Sequence, residues 1–209
     1  MKSIVFSLLT LVASSALFAQ EEFPASSIPM LEADGAFGGG YYLGESVNDV
    51  PEGKGSWYLG WGDGESYGVL TGEFKNGLPN GFGILNYKGG ASYEGEWLDD
   101  EPHGKGVYTY ENGDTYVGDF DQGKQTGKHV YTYADGDTYV GDVVDGIRTG
   151  KGVSTWSNFN SYNGDWLDDK AHGKGIYTFR NGVIEGNFIE GIFEYPLGNV
   201  FVAHEKKTD

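Results

Sequence analysis

From Leu70 onward the chain alternates apolar or ring-bearing residues with polar ones over short runs. Tyr93, Gly95 and Trp97 alternate with Glu94, Glu96 and Leu98, and Gly104 to Tyr110 alternates again after the turn-forming stretch Asp99 to His103. A period of two is the signature of a half-buried strand, so each such segment predicts two short strands. The segments recur: starts at Leu70, Tyr93, Tyr116, Tyr139 and Tyr162 are each 23 residues apart, and a half-unit begins at Ile184, 22 residues later. A looser unit begins at Tyr42, with Gly44, Gly53 and Gly55 and five extra residues before Leu70. A fixed period of this length marks a repeat array, here over residues 41–195, in which each unit buries its apolar face against its neighbours. Asn112-Gly113, Asp135-Gly136 and Asn181-Gly182 are favoured pairs for two-residue hairpin turns. The pattern predicts an all-β, antiparallel meander with no helix in the array.

Chemistry suggests a register. Placing Trp97 opposite Gly104 sets Gly95 against Gly106 and Tyr93 against Tyr108, so the glycines make room for the rings. The same register sets Glu96 against Lys105, Asp119 against Lys128, Asp142 against Lys151 and Asp165 against Lys174. Opposite charges across strands contribute about 0.2 to 1 kcal/mol per pair.

Residues 1–19, MKSIVFSLLTLVASSALFA, have one Lys, an apolar run and small residues before Gln20, as in a cleavable signal peptide of bacterial type. Their uninterrupted apolar run is shorter than the ~20 residues that span a bilayer. Residues 20–40 read as an exposed leader and 196–209 as a C-terminal tail, so the expected location is periplasmic or secreted, with no Cys to carry a lipid. The 209 residues include 36 Gly, 32 aromatics (5 Trp, 15 Tyr, 12 Phe) and no Cys, with a net charge of −17. The missing Cys excludes disulfides and thiol chemistry. The acidity sets the chain against nucleic acid and anionic lipid and favours a partner with a basic patch.

Candidate catalytic chemistry is thin. His103 and His172 fill one repeat position and read as duplicated turn residues, and no His spacing supports zinc. Asp99-Asp100-Glu101 and Asp168-Asp169 lack the spacing of a calcium loop and read as solvated turns. Ser and Thr abound without a His and Asp in any recognisable order. No catalytic residue, metal or cofactor is therefore expected. A small transmembrane barrel fits the length, but acids and Lys on one strand face and close-set Gly on the other argue against it.

Tyr-x-Gly-x-Trp/Phe, then Gly-x-Gly, then an aromatic and a further Gly, is the recurring motif: Tyr93, Gly95, Trp97, Gly104, Gly106, Tyr110 and Gly113 in one unit. It resembles the MORN (membrane occupation and recognition nexus) repeat. Departures are His129 for the second Gly, Val143 for Trp/Phe, and Leu70 and Ile184 for the leading Tyr, each expected to weaken packing locally. The resemblance implies an elongated, twisted antiparallel sheet with one hairpin per repeat, and a mostly non-catalytic scaffold or adaptor that binds another protein. The kinase and methyltransferase domains that accompany such repeats elsewhere do not fit in the residues flanking the array. Phe74, Trp97, Phe120 and Trp166, with Tyr110, Tyr133, Trp156 and Phe179, are the expected partner-binding residues, since rings on a half-exposed sheet face make good anchors. The same rings could stack on glycans, the alternative reading; membrane-lipid association is a third, opposed by the charge.

Overall fold

A computed structural model describes residues 40–61, 65–194 and 200–202. The expected signal peptide, nearly all of the expected leader, and the expected tail apart from residues 200–202 lie outside them. The strands are β1 (Gly40–Val47), β2 (Val50–Trp61), β3 (Glu65–Lys75), β4 (Leu78–Tyr87), β5 (Ser92–Leu98), β6 (Glu101–Thr109), β7 (Thr115–Asp121) and β8 (Lys124–Thr132). They continue as β9 (Thr138–Val144), β10 (Ile147–Thr155), β11 (Ser161–Leu167), β12 (Lys170–Phe179), β13 (Gly182–Ile189), β14 (Ile192–Glu194) and β15 (Val200–Val202). Each pairs antiparallel with the next in one open sheet of fifteen strands, the meander the alternation predicts.

Two turn types alternate along this sheet. Tight turns such as Asp99-Asp100 (φ 47 and 81) and Asp145-Gly146 (φ 51 and 80) hold both central residues left-handed, the primed geometry that matches strand twist. Asp100 donates its N–H to Pro79 of the preceding hairpin at 3.1 Å, and Gly146 likewise to Gln125 at 3.0 Å, so each tip is bonded to its neighbour. The pairs Asn112-Gly113 and Asp135-Gly136 correct the expectation of two-residue loops. Tyr110 N–H reaches Asp114 O and Gly113 N–H reaches Tyr110 O, both at 2.9 Å, giving a three-residue loop that ends on left-handed Gly113 (φ 89).

The register is half as expected. Tyr93 faces Tyr108 and Gly95 faces Gly106, but the ladder then slips: Glu96 faces His103 and Trp97 faces Pro102. Gly104 and Lys105 instead face Phe120 and Asp119 of the following hairpin. The cause is local. Gly104 turns left-handed (φ 60), and a Glu96 carboxylate oxygen accepts the Lys105 N–H at 3.1 Å in place of a ladder carbonyl. Asp142 and Asp165 accept the N–H groups of Lys151 and Lys174 in the same way, each at 3.0 Å. The lysine ammonium groups therefore bridge successive units, Lys105 to Asp119, Lys128 to Asp142 and Lys151 to Asp165, and not the within-unit pairs the sequence suggested. These bridges hold the Asp142 and Asp165 carboxyls below the usual range, with the lysine hydrogen bond the leading cause.

One face carries the core. Tyr93, Tyr116, Tyr139 and Tyr162 are buried. Tyr93, Tyr139 and Tyr162 each lie over the glycine pair of their own hairpin, and Tyr116 lies over Gly118 and stacks on His129, which takes the second glycine's place; a Cβ at Gly106 would stand 2.6 Å from the Tyr93 ring. Each hydroxyl donates to the carbonyl three residues on, Tyr93 to Glu96 and Tyr116 to Asp119 at 2.8 Å, Tyr162 to Asp165 at 2.9 Å and Tyr139 to Asp142 at 3.1 Å. That carbonyl lies where the ladder slips, so the phenol satisfies a group the strands leave open.

Candidate partner-binding face

The buried tyrosines alternate with the Trp/Phe position in a continuous column. Phe120 stands 5.0 Å from both Tyr93 and Tyr116, Trp166 is 5.1 Å from Tyr139 and 5.4 Å from Tyr162, and Phe188 is 4.9 Å from Tyr162. Most of these contacts are edge-on, the arrangement the ring quadrupole favours. At Val143 the column lacks its ring, and the imidazole of His129 fills the place, 5.0 Å from Tyr116 and 5.0 Å from Tyr139. The two departures from the motif thus compensate each other where local weakening was expected. Burial pushes the His129 imidazole down to about 4, and its Nδ1 is buried without a hydrogen-bond partner.

This column contains four of the eight expected residues: Phe74, Trp97, Phe120 and Trp166 are 3 to 5% exposed. The other four lie in a second row of partly exposed rings, Tyr110, Tyr133 and Trp156 at three-residue turns and Phe179 at the two-residue turn Arg180-Asn181. Tyr110 and Tyr133 share it with Tyr108 and Tyr131, with centroid spacings of 4.7 Å (108 to 110), 5.8 Å (110 to 131) and 4.6 Å (131 to 133). Trp156 and Phe179 continue it through Tyr177, at 5.7 and 6.2 Å. Tyr108, Tyr131 and Tyr177 were not singled out from sequence, although the spacing Tyr-Thr-Tyr places both rings of each strand on one face.

Two adjoining clefts open along this row. One, of about 370 Å³, lies among Tyr108, Tyr110, Phe120, Lys124, Gln125 and Asp145. The other, of about 240 Å³, lies among Tyr110, His129, Tyr131, Tyr133, Arg148 and Asp169. Gln125 lines both clefts and Arg148 the second, at a repeat position held by Pro79 and Pro102 in earlier units; that change of residue type is the signal sequence reading could have used. Gln125 Nε2 donates to the Tyr110 hydroxyl at 2.8 Å, and the Tyr131 hydroxyl donates to Asp114 Oδ2 at 3.0 Å. Burial and the Asp114 carboxylate together raise the Tyr131 phenol, so it stays a donor. Arg148 donates from Nε to Asp169 Oδ1 at 3.0 Å and lays its guanidinium 4.5 Å from the Trp166 ring.

Six segments, 42–64, 71–92, 93–115, 116–138, 139–161 and 162–184, match the MORN repeat family, and together they cover more than half of the chain. The chain belongs to this family. No curated protein matches it closely enough to name a relative. The looser unit at Tyr42 is a full MORN repeat on this count, while the strands after 184 extend the sheet beyond the last match. MORN repeats are generally non-catalytic modules that bind proteins or membranes.

Proposed function

We propose that this MORN protein is an exported, non-catalytic scaffold or adaptor whose ring-lined groove holds an extended segment of a partner protein. The observation that carries this reading is the row Tyr108, Tyr110, Tyr131 and Tyr133, half-buried and flanked by two clefts, beside the fully buried ring column of the core. Rigid aromatic side chains lose little entropy on binding and dominate interface energetics. Asp145 and Asp169 at the clefts are already paired with Lys124 and Arg148, so the preference for a segment carrying Lys or Arg rests on the net charge of −17 as a long-range effect. Arg148 on Trp166 is an internal instance of such a cation over a ring. Export rests on residues 1–19.

The test is a photo-crosslinker placed at Tyr110 and at Tyr133 in the source cells, with Val183 in β13, 60% exposed, as the control site. A partner captured at both groove sites, absent at Val183 and lost on Tyr131→Ala, supports the reading. Capture of glycan or lipid in place of protein would overturn it. N-terminal sequencing of the exported chain should begin at Gln20.

A further inference from the structure

The face opposite the rings is built of continuous rows. Thr109, Thr115, Thr132, Thr138 and Thr155 face one another strand by strand from β6 to β10, and Ser92 and Ser161 extend the row by one strand each. Beside it runs an unbroken row of Val107, Val117, Val130, Val140 and Val153. Four of these valines are 37 to 50% exposed. A third row alternates in sign: Glu96, Lys105, Asp119, Lys128, Asp142, Lys151, Asp165 and Lys174. The exposed side chains of Leu98, Val144, Ile147 and Leu167 at the tight turns complete the face.

We propose that this face is the interface of a homodimer, two copies meeting sheet on sheet. The fold itself poses the need: sheets are stable when both faces are covered or one is fully polar, and here the second face carries a row of valines that one layer cannot cover. Charge selects the occupant. A second copy of a chain with net charge −17 would be repelled almost anywhere, but on this face the charged row from Lys105 to Asp165 matches each acid with a lysine, Lys105 with Asp119, Lys128 with Asp142 and Lys151 with Asp165, so that stretch is neutral. Its alternation is also self-complementary, since a copy displaced by one strand sets each Lys against an acid. From β5 to β11 the rows span about 29 Å across the strands and about 20 Å along them, roughly 600 Å² in projection. A side-chain surface exceeds its projection, so the area approaches the ~800 Å² per partner of a standard interface. Twisted sheets packing this way cross at about 30°. The ring-lined grooves would face outward on both sides, making the scaffold bivalent.

Sedimentation equilibrium of the purified protein tests this. A reversible monomer–dimer equilibrium is expected, tightening with added salt because screening removes repulsion between two acidic chains. Val117→Glu with Val140→Glu should weaken the dimer at least about tenfold at unchanged circular dichroism, since each buries a charge. If that variant fails to fold, Val117→Thr with Val140→Thr, which keeps strand propensity, should weaken it in the same direction. Tyr110→Ala should leave the equilibrium unchanged, which separates this interface from the groove. A monomer at every concentration and salt, a dimer indifferent to the valine variants, or one lost with Tyr110→Ala would each overturn the proposal.

Discussion

His129 stands where neighbouring units carry Gly83, Gly106 and Gly152, and its ring occupies the gap that Val143 leaves. Its folded-state pKa of about 4 lies below the ordinary 6.5, so the unfolded chain takes up a proton first as pH falls. The stability held by the neutral ring is therefore complete above pH 6.5 and is lost between 6.5 and 4, an effect of roughly 3 kcal/mol. Burial pushes Asp100 the other way, up to about 6, so it contributes stability below 3.8 that fades as pH rises through 6. The two oppose each other in one window and flatten the native curve. His129→Phe keeps a ring and removes one titration, so urea unfolding of that variant should show stability rising as pH falls from 6 to 4; a curve matching the native one would refute the assignment. Phe159 presents a second residue-scale case. It is 88% exposed at φ 65, in the turn position that Gly113 and Gly136 occupy in other units. A bulky residue in that conformation costs about 1 kcal/mol or more. Phe159→Gly should raise the thermal midpoint by about 2 to 4 °C in calorimetry.

Within one hairpin, a Tyr ring, two glycines and an acid work as a unit: the ring lies over Gly95 and Gly106, its hydroxyl caps the carbonyl at the slip, and the acid caps the N–H beyond it. The contributions separate by substitution. Tyr93→Phe removes one hydrogen bond and leaves the Glu96 carbonyl short of a partner, a loss of about 1 kcal/mol. Gly106→Ala inserts a methyl into the ring and should cost more, roughly 2 to 4 kcal/mol, with chemical denaturation reading both. The reverse ranking would mean the hydroxyl, and not the room beneath the ring, governs the hairpin. Sequence made the ring-over-glycine part legible because it follows from side-chain volume and a period of two. The slip was not legible. Alternation continues across Glu96 and Trp97 without a break, and only the left-handed conformation of Gly104 reveals that two residues leave the ladder. Tyr108 and Tyr131 differ in this respect: the period of two already sets them on the same face as Tyr110 and Tyr133, and opposite Tyr93 and Tyr116, so a row two rings deep was there to be read.

Across the whole array, each unit touches mainly its neighbours, so stability should be a sum of unit and interface contributions. Excision of a 23-residue unit therefore tests whether the period alone specifies the fold. Removing residues 93–115 joins Ser92 to Tyr116, preserves the register of every remaining strand, and keeps His129 beside Val143. That protein should fold cooperatively with modestly reduced stability. Removing 116–138 joins Thr115 to Tyr139 and preserves register equally well, but it deletes His129 while keeping Val143, and Gly106 then stands where the imidazole did. The column is left with an unfilled space the size of a ring, and large-to-small changes of that kind cost roughly 3 to 5 kcal/mol. Calorimetry on the two shortened proteins should thus give clearly different midpoints despite identical length. Equal midpoints would mean that period and register suffice and that continuity of the ring column adds nothing; the expected gap would make the column, formed by residues from every unit, the element that turns separate hairpins into one body.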